Sequence, residues 1–128
     1  MQMSAQRKRI LRILLAEDDP IDQQISTKML RMMGHAVDLA KNGAEAVQAV
    51  GRETYDLVVM DVQMPEMDGI QATRRIRCLY GNDLIVVFVT ASSPEIYRDQ
   101  CFEAGGNEFL CKPLIVDELS SAIKRVMR

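Results

Sequence analysis

The sequence is poor in the features that several large classes of function require. Its net charge is −2, so the basic excess normal for a nucleic-acid module is missing. Its three cysteines, Cys78, Cys101 and Cys111, are odd in number and lack metal-ligand spacing. They are expected to be reduced thiols packed as small hydrophobes, in a reducing compartment. A single histidine, His35, follows Gly34 at a turn, which leaves nothing for an imidazole metal site or a histidine-based catalytic pair. No apolar run approaches the roughly 20 residues that cross a bilayer. The start, "MQMSAQRKRILRILLAEDD", is basic and then briefly apolar, but Arg12 interrupts it and no small-residue cleavage site follows. Residues 1–9 therefore read as a flexible leader and 10–128 as one domain, without linker, repeat or low-complexity tract.

What remains is an alternation. Short apolar runs stand at Ile10 to Ala16, Ala36 to Ala40, Asp56 to Met60, Leu84 to Thr90 and Glu108 to Cys111. Three are nearly continuous in Val, Ile and Leu, as strands covered on both faces are; the second alternates and fits an outer strand. Helical stretches separate them. Asp19-Pro20 opens the first helix, with Ile21, Ile25, Met29 and Met32 expected on its inner face and Gly34 as its stop. Asn42 with Glu45 reads as a capping box for the second, with Ala46, Val47 and Val50 inside. Ile70, Thr73, Ile76 and Leu79 mark the third stripe, and Ser93-Pro94 opens a fourth helix that closes at Gly105-Gly106. Leu119, Ala122, Ile123 and Val126 mark the last. Each crossover holds a helix, so neighbouring strands run parallel, and right-handed crossovers place helices on both faces of one sheet. The fold class is a single doubly wound α/β domain.

In such a sheet all strands end at one edge, and ligands bind beyond it. The residues that fall there are Glu17-Asp18-Asp19, Asp61, Thr90 and Lys112-Pro113. Two like charges about 4 Å apart repel by roughly 4 kcal/mol at an effective dielectric near 20. Several such pairs would consume much of a domain's stability of about 5–15 kcal/mol, and Lys112 offsets only part of this. A hard divalent cation with oxygen ligands, Mg²⁺ or Mn²⁺, is the natural remedy. A carboxylate beside such a cation can act as a nucleophile toward phosphorus, with Lys112 and the Thr90 hydroxyl gathering phosphoryl charge.

The stretches "ILLAEDDP", "YDLVVMDVQMPEMDG", "VFVTAS" and "FLCKPL", in order and at suitable spacing, resemble the receiver domain of two-component response regulators over Ile10 to Met127. "MDVQMPEMDG" followed by "ATRRIR" is most similar to receivers of hybrid sensor histidine kinases. The resemblance implies a flavodoxin-like (βα)5 domain with a parallel five-stranded sheet in the order 2-1-3-4-5. It implies Asp61 as phosphoacceptor and a metal site of Asp18, Asp61 and the backbone carbonyl of Gln63, with Glu17 acting through water. Thr90 and Lys112 would contact the phosphoryl group, and Phe109 would hold the rotating aromatic position. Gln63 and Ser92 match two positions that tune water attack. Asp19 falls outside the acidic pair and is assigned to helix capping. The phosphodonor would be phosphohistidine on a histidine kinase or histidine phosphotransfer domain, with a downstream partner unspecified and no direct contact to nucleic acid or membrane. Thr90 and Phe109 would then switch the face made by the fourth helix, fifth strand and fifth helix.

Such a chain modifies itself and is not a turnover enzyme. It belongs in the cytoplasm, either alone or as part of a membrane-anchored hybrid kinase. An aspartyl-phosphate hydrolase would want Asp at position 63 and a cap domain, and a flavin site would want a Ser/Thr-rich loop after the first strand. A receiver that had lost phosphorylation would not be expected to keep Asp18, Asp61, Thr90 and Lys112. Ile115 departs from the pattern. It replaces a polar N-cap at a cost of about 1 kcal/mol, or provides an exposed apolar contact beside Lys112-Pro113.

Overall fold

The computed structural model describes residues 9–91 and 94–127. Nearly all of the expected leader, the expected tuning residue Ser92 and the expected helix-opening Ser93 lie outside the described residues. Along the chain run β1 (Arg12–Ala16), α1 (Pro20–Met32), β2 (Ala36–Ala40), α2 (Gly43–Arg52) and β3 (Leu57–Asp61). Then follow α3 (Gly69–Tyr80), β4 (Ile85–Thr90), α4 (Pro94–Glu103), β5 (Glu108–Cys111) and α5 (Val116–Val126). All strand pairs are parallel and the order is β2-β1-β3-β4-β5, as the sequence implied. β3 runs one residue later than its apolar stretch suggested, so Asp61 is the last residue of the strand itself.

Period-two alternation divides the core. Leu14, Ala16, Val58, Met60, Val86 and Phe88 pack on one face with Ala46, Ile70, Ile76 and Cys101 from α2, α3 and α4. Ile13, Leu15, Val59, Val87 and Val89 pack on the other with Leu30 of α1 and Leu119 and Ile123 of α5. Three helices thus cover one side of the sheet and two the other. β2 is one of the two outer strands, with only Ala40 fully buried.

The helix ends follow local chemistry. Asp19 caps α1 by accepting from the Asp22 amide at 2.8 Å, Pro20 follows it, and Gly34 at φ +97° stands past the end. Asn42 caps α2, but the reciprocal half of the expected box is absent: Glu45 accepts from the amide of Lys41 at 2.8 Å. The full reciprocal box occurs at α3, between Asp68 and Gln71.

Three expectations about packing are overturned. In α1, Ile21, Ile25 and Met32 are 68%, 51% and 76% exposed, while Ser26 and Leu30 are buried and Met29 and Met33 partly so. At about 100° per residue, Ile21, Ile25 and Met32 lie roughly 140–200° from Leu30, so the helix is rotated to bury its other apolar set. In α3, Ile70, Thr73 and Ile76 are buried but Leu79, in the last turn, is 52% exposed. Cys101 is buried and Cys111 half-buried, as small hydrophobes would be, whereas Cys78 is exposed on α3. His35 accepts the Leu11 amide on Nδ1 at 3.1 Å, a structural tie between the start of β1 and the approach to β2.

Candidate functional site

Parallel pairing brings the ends of β1, β3, β4 and β5 to one edge, and Glu17, Asp61, Thr90 and Lys112 come with them. Glu17 is held just past β1 by its amide, which donates to the Ala40 carbonyl at 3.0 Å. Lys112 is placed just past β5 by its amide donating to the Thr90 carbonyl at 2.8 Å. Asp61 is placed by β3 and by a tight contact behind it. A Cβ on Gly69 would collide with the backbone carbonyl of Asp61, and the Gly69 amide donates to the Val62 carbonyl at 2.8 Å. The absent side chain lets the start of α3 press against the Asp61 main chain.

The side chains form one cluster. Oxygen atoms of Glu17, Asp18 and Asp61 all lie within 4.8 Å of one another, with Glu17 and Asp61 buried and Asp18 exposed. Lys112 Nζ reaches Glu17 Oε1 at 2.7 Å, Asp22 Oδ2 at 3.0 Å and Asp61 Oδ2 at 3.2 Å. The other oxygen of Asp61 accepts the Gln63 amide at 3.3 Å, so both oxygens of this carboxylate are oriented. Thr90 is fully buried at the end of β4. Phe109 is half-buried on β5 and packs against the core on the side of α4.

Electrostatics show a shortage of positive charge. Burial pushes the Glu17 carboxyl up to about 7, against the pull of its hydrogen bond from Lys112. Burial also raises Asp61, opposed chiefly by the charge of Lys112. Burial alone would lower Lys112, but its hydrogen bonds to Glu17 and Asp22 and the charge of Asp61 outweigh that and hold it above its ordinary value. The ammonium stays charged, the first proton taken up goes to a carboxylate, and room remains for a further cation. The donors are all hard oxygens, which suits Mg²⁺ or Mn²⁺ and not a thiophilic metal.

Of the residues expected at the site, Glu17, Asp18, Asp61 and Lys112 come together directly. Thr90 sits at the same edge, and Gln63 touches Asp61 through its backbone. Asp19 is the α1 cap and also donates its amide to Glu17 Oε2 at 3.1 Å. Ile115 precedes α5 without a side-chain cap and is 52% exposed. Two residues were missed. Asp22, one turn beyond Asp18, is the third carboxylate on Lys112; its place in the first turn of α1 was legible, but the rotation that turns it toward Lys112 was not. Tyr97 of α4 accepts a hydrogen bond from Gln63 Nε2 at 3.2 Å, and no sequence pattern marks it.

Residues 13–124 match the family described as the response regulator receiver domain. Hybrid signal transduction histidine kinase B of Dictyostelium discoideum is 39% identical over 124 residues, covering 88% of this chain. The chain spans only 6% of that kinase's length. Among solved structures, the receiver domain of sensor histidine kinase PA1611 from Pseudomonas aeruginosa, with a magnesium ion in its active-site cleft, aligns with TM-score 0.84 at 36% identity. That match covers 91% of this chain and 97% of the other. A Saccharomyces cerevisiae complex of the histidine phosphotransfer protein Ypd1 with the Ssk1 receiver domain aligns with TM-score 0.83 at 31% identity. It covers 90% of this chain and 87% of the matched one. Among the described residues, no helix is long and apolar enough to cross a membrane.

Proposed function

Because the chain belongs to the response regulator receiver domain family, we propose that it takes a phosphoryl group from phosphohistidine onto Asp61 and carries it as an acyl phosphate. The observation that carries this reading is the position of Asp61: buried at the end of β3, in reach of Lys112, and within 4.8 Å of two further acidic oxygens. Asp18, Asp61 and the Gln63 carbonyl would hold Mg²⁺ or Mn²⁺, with Glu17 joined through water. When bound, that ion supplies the charge that the cluster lacks and neutralises phosphoryl oxygens.

The chain's own groups do the rest. An Asp61 oxygen bonds to phosphorus as the phosphorus–nitrogen bond breaks, and the imidazole leaves with the electron pair and picks up a proton. Lys112, already among the acids, shifts its ammonium donors to the phosphoryl oxygens, and Thr90 adds its hydroxyl. Drawing Thr90 inward opens space for Phe109, so α4, β5 and α5 present a changed face. The domain turns over no separate substrate; it modifies and restores itself.

The phosphodonor is a histidine-bearing partner, either a kinase or a phosphotransfer domain. Ile21 and Ile25 at the start of α1, and Ile115 and Val116 at the start of α5, are exposed on helices that share one side of the sheet. Both helices begin at the acidic edge, so these side chains offer an apolar rim beside Asp61. The uncapped Ile115 fits this use. Whether the partner reaches the domain within one polypeptide or between two, it works on the cytoplasmic side.

The test is incubation with Mg²⁺ and acetyl phosphate, read by intact mass. Wild type gains one phosphoryl group, and Asp61→Asn, with Glu17 and Asp18 intact, gains none. A wild-type protein inert toward every such donor in magnesium-containing buffer overturns the reading.

A further inference from the structure

We infer that Asp22 is a positioning residue: it anchors the Lys112 ammonium, so that one N–H donor of Lys112 stays aimed at the phosphoryl group while Asp61 takes it up. The inference rests on the phosphoacceptor role proposed for Asp61. An ammonium has three donors and no acceptor, and three carboxylates meet this one. Glu17 stands at 2.7 Å from it, Asp22 at 3.0 Å and Asp61 at 3.2 Å. The charge of a lysine rides on a flexible four-carbon stem, so it keeps one direction only where its donors are held. The three partners differ in what else the reaction asks of them.

Asp61 gives its charge to phosphorus, so the donor on it, at the longest of the three distances, is the one that passes to a phosphoryl oxygen. Glu17 belongs with Asp18 and Asp61 to the acidic trio whose oxygens lie within 4.8 Å of one another, so a cation there competes with Lys112 for it. Asp22 is outside that trio. It is placed from behind: its amide donates to the Asp19 cap at 2.8 Å, which fixes the first turn of α1, and burial of Ser26 and Leu30 sets the rotation of the helix. Its carboxylate then reaches Lys112 from the solvent side, with 38% of the side chain exposed against 3% for Glu17 and 7% for Asp61. Neither phosphorus nor the cation draws Asp22 away. It can hold the ammonium through the transfer, and a donor already aimed needs no reorganisation when charge develops on the phosphoryl oxygens.

The experiment follows phosphoryl uptake from acetyl phosphate by intact mass at saturating Mg²⁺, in wild type, Asp22→Ala and Asp22→Asn. Ala offers Lys112 no acceptor, whereas Asn keeps a carbonyl oxygen at the same reach and loses only the charge. Asp22→Ala slows uptake by roughly 3- to 10-fold, the factor for one charge-assisted hydrogen bond at a partly exposed position. Asp22→Asn stays within about 2-fold of wild type. In metal-free protein the Lys112 Nζ signal in nitrogen-15 spectra is kept in Asp22→Asn and broadened in Asp22→Ala, a change that a weaker helix alone does not produce. An unchanged or faster rate in Asp22→Ala overturns the inference, as does an Nζ signal that ignores the substitution. Equal slowing in both variants also overturns it, because the effect then belongs to charge in the first turn of α1. A slow Asp22→Ala that more Mg²⁺ restores places Asp22 on the ion and overturns it too. Wild type that takes up no group refutes the phosphoacceptor reading itself, while the Nζ spectra still report whether Asp22 holds Lys112.

Discussion

The two ends of the sheet carry charge in opposite ways. At the amino end, Arg12 meets Glu53 at 3.0 Å and Asp38 at 3.5 Å, Arg9 meets Asp56 at 3.2 Å, and the Arg12 guanidinium lies over the Tyr55 ring. These side chains are mostly half exposed, and two cations stand among three carboxylates. At the carboxyl end one ammonium serves Glu17, Asp22 and Asp61, with Asp18 beside them, and Glu17 and Asp61 are buried. The first network is close to balanced and sits in water, where screening makes it weak. The second is short of cations in a place where charge is expensive. Ordinary surface electrostatics ties down an edge; a deficit held in a buried cleft marks the edge that binds something.

The sharpest way to break this contrast is to remove one cation from each end. Lys112→Gln leaves Glu17 and Asp61 without their buried partner and should cost about 3 kcal/mol in urea melts of metal-free protein at pH 8. The loss should shrink near pH 5, where Glu17 takes up a proton instead. If Lys112→Gln is neutral at pH 8, the acids are not crowded in the way the distances imply.

A smaller effect tests the deficit directly. In the folded metal-free chain the Glu17 carboxyl keeps its proton up to about pH 7, against an ordinary value of 4.5. A folded pKa raised in this way contributes stability below the ordinary value and loses it as pH rises through about 7; the raised Asp61 acts in the same direction. Mg²⁺ should therefore raise the melting temperature clearly at pH 8 and little at pH 5, where protons already fill part of its role. At 100 times the dissociation constant the gain at pH 8 is about 2.7 kcal/mol. An equal Mg²⁺ gain at both pH values would sever the ion from the carboxylates. The smallest effect belongs to the amino end. Arg12→Gln should leave the melting temperature close to wild type in 0.5 M salt, and a large loss there would erase the distinction between the two ends.

How much of this could be read beforehand depended on what each feature rests on. The strands followed from run length and Val/Ile/Leu content, their parallel pairing from the helical crossovers, and their order from the family resemblance; the acidic edge followed because a parallel sheet fixes where every strand ends. The rotation of α1 did not follow. Ile21, Ile25 and Met32 make as good an apolar stripe as Leu30, Met29 and Met33, and only packing against β2 and β1 chooses between the two. The same rotation turns Asp22 toward Lys112, so that contact was hidden for the same reason. Tyr97 depended on the setting of α4 against the core, which its weak periodicity leaves open. The second half of the α2 cap moved by one residue, to the Lys41 amide, which donates to Glu45 at 2.8 Å.

The bare Cα of Gly69 gives the edge a direction. The start of α3 is braced against the carbonyl of Asp61 and the Val62 carbonyl is already taken by the Gly69 amide, so the main chain at the end of β3 is packed tightly from behind. A group attached to Asp61 as proposed would then be accommodated at the side-chain end of β3, toward β4 and β5, and not by retreat of the β3 main chain.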